Sequence, residues 1–331
     1  MRARQYMSWK NALTALELLL LAALLAAPWL AGLFNAPFWL DVATRLAILA
    51  LAATGLNLLL GLGGLASFGH AAYLGIGAYA TAIPVYHAIY GGAEWLATDS
   101  GLAHLALAVL ASALFALITG ALALRTRGIH FIMLTMAFAQ MLFYLLQGLE
   151  TYGGDDGLSL DARSQLPLLD LDNAAHMHWL ATGMLLLGLA LYALLARARF
   201  GLVLRGCKAR AERMQALGWP VRRVLLAAYV LGGVLSGVAG WLSANHAAFV
   251  SPAMAEWTHS GELLFMVILG GAGRLLAPLT GAAAFVLLEE LLSSVTLYWH
   301  LPFGLLLIGV ALWQAGVLRL SVSRAERGAG S

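Results

Sequence analysis

The chain has 331 residues, 62% of them hydrophobic and 11% charged, with a formal net charge of +3. Soluble domains are about 25% charged, so this composition excludes an ordinary soluble domain and implies a polytopic membrane protein. The single cysteine, Cys207, excludes an internal disulfide and a cysteine-rich metal site.

Ten apolar segments are predicted in chain order, at roughly 12–34, 42–60, 66–87, 102–123, 129–147, 179–196, 224–245, 257–271, 277–297 and 301–318. A membrane-spanning helix needs about 20 residues. The first segment exceeds the apolar core of a signal peptide and is expected to stay as a span. The eighth is short and runs into Gly270, Gly271 and Gly273, which suggests a half-helix or a re-entrant segment. The expectation is therefore an all-α polytopic integral membrane protein with about 8–10 transmembrane helices. The whole chain, 1–331, is read as a single transmembrane domain.

Charge orders these segments. With the N-terminus placed in the cytoplasm, only Arg45 and Arg163 of the 19 Lys and Arg fall on the outer side. The outer loops instead collect acids, among them Asp41, Glu150, Asp155, Asp156, Asp161, Asp170, Asp172 and Glu256. This is the positive-inside pattern, with both termini cytoplasmic. Loop 148–178 becomes an acidic periplasmic loop, and loop 196–223 a basic cytoplasmic one. Five crossings in each half would place the halves in opposite orientation, so an inverted repeat is geometrically open, although no sequence repeat supports it.

The stretch Gly55–Tyr79 is apolar yet holds seven glycines, together with Asn57, Ser67 and His70. Lipid offers unpaired polar groups no water, so this mixture reads as buried inside the bundle. Close packing accounts for it as readily as a path does. His70 has no second ligand or base nearby in sequence. Ser67 is expected to return its hydroxyl to its own backbone. Glu17, Glu262, Glu289 and Glu290 are intramembrane or interfacial carboxylates, and such groups raise a functional question by default. For Glu17 the plain reading is a snorkelling side chain or a pair with another subunit. Gly233, Gly237 and Gly240 form a small-residue face for helix packing.

The inner stretch from Phe200 to Val224 is amphipathic. Leu202, Leu204, Met214 and Leu217 are expected as apolar anchors and Arg205, Lys208, Arg210 and Arg213 as its exposed face, with Gly218 and Pro220 as the stop. It suits a helix on anionic lipid or a docking helix for a cytosolic partner. Neither lysine, Lys10 or Lys208, follows a glycine, so a GxxxxGK[ST] phosphate loop is excluded; HExxH and GxSxG are absent too. No catalytic constellation, metal site, cofactor or nucleic-acid partner is expected.

Gly55-Leu-Asn-Leu58, Ser67-Phe-Gly-His70 and Gly75-Ile-Gly-Ala-Tyr79 resemble the permeases of branched-chain amino-acid ABC importers, of the LivM branch. The resemblance continues through Arg127-Gly128, Thr135-Met-Ala-Phe138, Gly153-Gly-Asp-Asp-Gly-Leu158, Arg199-Phe-Gly201, Ala216-Leu-Gly218, Phe249-Val-Ser-Pro252 and Val267-Ile-Leu-Gly-Gly271. It departs at Leu65, where the family has Gln; at Tyr152, where it has Thr; and at Ala209-Arg-Ala211, which replaces an acidic run. The resemblance implies an ABC importer permease in the bacterial inner membrane, with a second permease subunit, two cytosolic ATPase subunits and a periplasmic solute-binding protein. A substrate path or hinge is expected at Asn57, Gly64, Ser67, Gly69, His70, Gly75, Gly77 and Glu262. Coupling to the ATPases is expected at Arg205, Lys208, Glu212, Ala216, Leu217 and Gly218. Leu, Ile or Val is the default substrate, with other amino acids, urea and short amides open. The alternative is a stand-alone, ion-coupled secondary transporter or channel for a small polar solute.

Overall fold

The computed structural model describes residues 2–167, 169–295 and 301–305. The rest of the predicted tenth segment and the basic residues Arg319, Arg324 and Arg327 lie outside the described residues. The described helices are α1 (Arg2–Phe34), α2 (Pro37–Asn57), α3 (His70–Tyr90), α4 (Gly101–Ala123), α5 (Ile129–Gln147), α6 (Ala174–Arg197), α7 (Arg199–Ala216), α8 (Val221–Ala247), α9 (Trp257–Gly270) and α10 (Ala277–Val295). A π-helical turn, Leu58–Leu62, extends α2. Two short strands, β1 (Leu158–Ser159) and β2 (Phe249–Val250), pair antiparallel.

Among the described residues, seven helices are long and apolar enough to cross a membrane: α1, α2 with its π-turn, α4, α5, α6, α8 and α10. α3 has 21 residues, enough length to cross, but carries His70, His87 and four tyrosines. Neighbouring helices bury most of it, so it does not need lipid-soluble side chains. α9 has 14 residues, about 21 Å at 1.5 Å per residue, and is too short to span. The chain reaches it through β2 and the turn Pro252–Ala255, where Ala255 is packed against Gly75 of α3. Ala71 N then donates to Ser260 Oγ (2.9 Å), setting the first turns of α9 beside the start of α3.

Local chemistry explains the breaks. Asn35 adopts φ 49° and Pro37 occupies the first turn of α2, separating α1 from α2. Asn173 caps α6 by accepting from Ala175 N (2.9 Å). That cap starts α6 at residue 174 rather than 179, so the loop predicted over 148–178 ends five residues earlier. The third helix likewise starts at His70 rather than 66, because the chain from Gly64 to Gly69 is irregular.

The chain divides into two compact units, Met1–Ala283 and Ala284–Ser331. In the second, the Phe285 and Phe303 rings meet edge to face at 5.1 Å. In the first, α8 packs against α2, α3 and α4. The approach is close because side chains are missing where backbones meet. A Cβ on Gly77 would strike the Gly237 carbonyl, and one on Gly240 the Leu74 carbonyl. α4 presents Ala108, Ser112, Ala116 and Thr119 inward, while Leu110, Leu114 and Leu117 stay exposed. Between helices in lipid, such packing replaces the hydrophobic drive that water would supply.

The first unit has a basic and an acidic end. The basic end gathers the π-turn, the turn between α4 and α5, α7, and the loop between α9 and α10, joined by Lys208–Gly61, Arg127–Glu212 and Asn57–Gly273 contacts. The acidic end gathers the start of α2, the segment 148–173, the β1–β2 pair and the end of α8, with Tyr90 Oη donating to Asp161 (2.6 Å).

Candidate functional site

At the basic end, α2 closes in a junction rather than a plain turn. Asn57 is fully buried and clamps the α9–α10 loop: its amide donates to the Arg274 carbonyl (2.9 Å), and its oxygen accepts from Gly273 N (2.8 Å). Gly61 lies so close that an added Cβ would be 2.6 Å from Gly273 N. The helix ends here, and the carbonyls of its last turn have no partner inside it. One of these, on Gly61, accepts from the Lys208 ammonium at 2.9 Å. Gly64 follows at φ 72°, a left-handed conformation suited to glycine, and the stem of Lys208 packs against it. Arg274 extends the junction to α1 through an ion pair with Glu17. Glu17 is thus held inside the chain, buried, and not offered to another subunit.

Lys208 belongs to α7, whose buried face is Gly201, Val203, Leu204 and Cys207. Of the expected anchors, Leu204 is buried and Met214 half-buried, while Leu202 and Leu217 are exposed: Leu202 lies off the buried face of α7, and Leu217 follows its end at Ala216. Inside α7, Arg210 leaves helical geometry (φ −156°, ψ 97°), so the last turns take a new direction. Arg127 stands 3.8 Å from Glu212, linking the α4–α5 turn to those turns. Ala216, Leu217, Gly218 and Trp219 protrude at the tip, all exposed. Arg205 turns back to donate to the Ala196 carbonyl (2.8 Å). Burial pushes the Cys207 thiol above its ordinary range.

The other residues singled out in the sequence lie elsewhere. Ser67 Oγ accepts from Gly69 N (3.2 Å), a local turn rather than a bond within a helix. Phe68 N donates to Thr135 Oγ1 (3.2 Å) and ties the same loop to α5. His70 is fully buried at the start of α3, edge-on to Tyr73 (5.6 Å) and Tyr229 (6.2 Å). Neither of its ring nitrogens has a hydrogen-bond partner among the described residues. Tyr73 meets Thr119 Oγ1 at 3.1 Å. Gly75 and Gly77 are packing positions, against Ala255 and Gly237 respectively. Glu262 sits in α9, hydrogen-bonded to His259 Nδ1 at 2.8 Å.

The structure therefore joins Asn57, Gly64 and Lys208 in one junction and leaves Glu262 in a separate pair with His259. Two members of the junction were not foreseen from sequence: the Gly61 carbonyl, because backbone groups carry no sequence label, and Gly273, which appeared only as part of a helix stop. Among the described residues, no group of three or more His, Cys, Asp or Glu is arranged to hold a metal ion.

Comparison with known proteins gives this geometry a context. Residues 38–312 match the family described as branched-chain amino acid transport system, permease component. Over 298 aligned residues the chain is 27% identical to the high-affinity branched-chain amino acid transport system permease protein LivM of Salmonella typhimurium. It is 26% identical to the protein of the same name from Escherichia coli. Each alignment covers 83% of this chain and 68% of the relative. The family is a transport component and not an enzyme. With a helical bundle long and apolar enough to span a membrane, and a match over most of its length, the chain belongs to the permease components of branched-chain amino acid transport systems.

Proposed function

We propose that this chain is one of two permease subunits of an importer in the bacterial inner membrane. It would take up a branched-chain or related amino acid delivered by a periplasmic binding protein, powered by two cytosolic ATPase subunits. Its basic end, with both termini, would face the cytoplasm and its acidic end the periplasm, as the positive-inside pattern requires.

The observation that carries this reading is the build of α7. One face is buried against the bundle, Lys208 holds the Gly61 carbonyl, and the tip at Ala216–Trp219 is left exposed with two large apolar side chains, Leu217 and Trp219. An exposed apolar tip on a basic helix suits a protein partner. A push on that tip would travel through Lys208 to the π-turn of α2, and through Asn57 to the α9–α10 loop. Glu212, next to Arg127, sits at the base of the same tip.

Co-purification with the ATPase subunits, followed by leucine uptake in proteoliposomes with and without ATP, tests the reading. ATP-dependent uptake is expected. Leu217→Asp should release the ATPases, and a bulky residue at Ala216 or Gly218 should leave ATP hydrolysis running without uptake. Transport by the isolated chain on an ion gradient would overturn the importer reading in favour of a secondary transporter.

A further inference from the structure

Arg163 breaks the charge asymmetry of the sequence, and the structure gives it a setting. It lines a cavity of about 410 Å³ at the acidic end. Asp41 from α2, Asp172 before α6, and His246 at the end of α8 line the same cavity, so both signs of charge face one space. The cation is held at the wall: Arg163 Nη1 donates to the Leu171 carbonyl (2.8 Å) and lies 3.5 Å from Asp172. A guanidinium carries five N–H donors in a planar fork, so these contacts do not exhaust it. Asp41 lies 3.3 Å from His246 Nε2, and its side chain is 67% exposed, so it reaches into open space. Pro37, Phe38 and Met177 supply an apolar wall.

This chemistry selects a ligand class. An uncharged amide or urea can hydrogen-bond to these groups but balances neither charge. A simple anion meets Asp41 and Asp172, and a simple cation meets Arg163. A zwitterion with an aliphatic side chain matches all three features, and the volume lies in the ordinary range for small-ligand sites. Arg45, the other exception to the charge pattern, acts electrostatically on both His246 and His259, and His259 is bonded to Glu262.

We propose that this cavity is an entry site for a zwitterionic α-amino acid, its carboxylate on Arg163 and its ammonium on Asp41 and Asp172. The inference rests on the importer reading above and gives its amino-acid substrate a place of entry on this chain.

Ala174 lines the same cavity and is exposed, so Ala174→Cys reports on its occupancy. In vesicles containing the whole transporter, a membrane-impermeant maleimide applied from the periplasmic side should label it. Cys207 is buried at the opposite end and stays silent. L-leucine should slow the labelling, while 4-methylpentanoate and leucinamide, each with one charge removed, should not. Asp41→Asn and Arg163→Gln should each raise the leucine concentration for half-protection by about tenfold or more, the loss expected for one charged hydrogen bond. Arg163→Lys keeps the charge and should recover part of the protection, which separates binding from the loop contact to Leu171. Equal protection by leucinamide, unchanged half-protection in Asp41→Asn, or no protection by leucine would overturn the site. ATP-driven uptake measured on the same vesicles judges the importer reading separately: uptake without protection sinks the site alone, and absence of uptake sinks the importer.

Discussion

The middle of the bundle and its basic end are both rich in glycine, and they use it differently. In the middle, Gly77, Gly237 and Gly240 let α3 and α8 touch backbone to backbone. A Cβ on Gly77 or Gly240 would meet a carbonyl group of the other helix, which cannot turn aside, and one on Gly237 would meet the buried Ser112 side chain of α4. At the basic end, Gly61 and Gly64 sit beside a loop and the flexible stem of a lysine, and Gly64 needs its positive φ. The first region is a rigid seam. The second is a junction, held by hydrogen bonds from Asn57 and Lys208. The same residue type therefore serves a helix–helix seam in one place and a hydrogen-bonded turn in the other. What differs is the surroundings: neighbouring helices at the seam, a loop backbone and a lysine stem at the junction.

The sharpest break of this contrast is Gly77→Leu. No rotamer change relieves a collision with the Gly237 carbonyl, so α3 and α8 must part. Overpacking costs about 1–3 kcal/mol or more, and here it falls on a seam shared by several helices. Loss of the monodisperse detergent-solubilised protein is expected on gel filtration; a fully stable variant would show the seam to be loose. Asn57→Leu comes next. It strips the Gly273 amide and the Arg274 carbonyl of their partner, at roughly 1–3 kcal/mol for each buried group left unpaired. A lowered thermal midpoint is the expected readout.

Lys208→Met should be milder, about 1 kcal/mol for one hydrogen bond at a partly exposed site. It should nevertheless reduce uptake per ATP hydrolysed in the assembled importer, which no substitution in the seam would do selectively. Unchanged uptake per ATP would reduce Lys208 to a surface contact. The smallest effect is kinetic. The thiolate is the reactive form of cysteine, and burial raises the Cys207 pKa, so less thiolate is present at any given pH below it. Alkylation near neutral pH should be slower than for a solvent-exposed thiol and should accelerate as pH rises toward the raised value. Lys208→Met should speed it if that bond helps to seat α7.

Much of the fold was legible in the sequence. Segments 102–123 and 129–147 read as helices α4 and α5 almost to the residue, since long apolar runs between charged or glycine-rich breaks have few other solutions in lipid. The site was less legible. Asn57, Gly64 and Lys208 were each singled out, but in two separate groups, because Lys208 and Gly61 are 147 positions apart. Nothing local announces that pairing. Glu17 was harder still, since its partner Arg274 lies in a short loop near the other end of the chain. Leu202 and Leu217 misled because amphipathicity is judged from side-chain type, whereas burial depends on which face the neighbouring helices cover.

By itself, the sequence determined the environment, the approximate spans and the segregation of charge. Those follow from the cost of placing polar groups in hydrocarbon, which acts on each segment separately. Only the tertiary structure decided which glycines form the seam and which the junction, which carboxylate meets which arginine, and that Arg163, Asp41 and Asp172 surround one cavity. These depend on contacts between residues far apart in the chain, where a difference of a few ångströms separates a hydrogen bond from empty space.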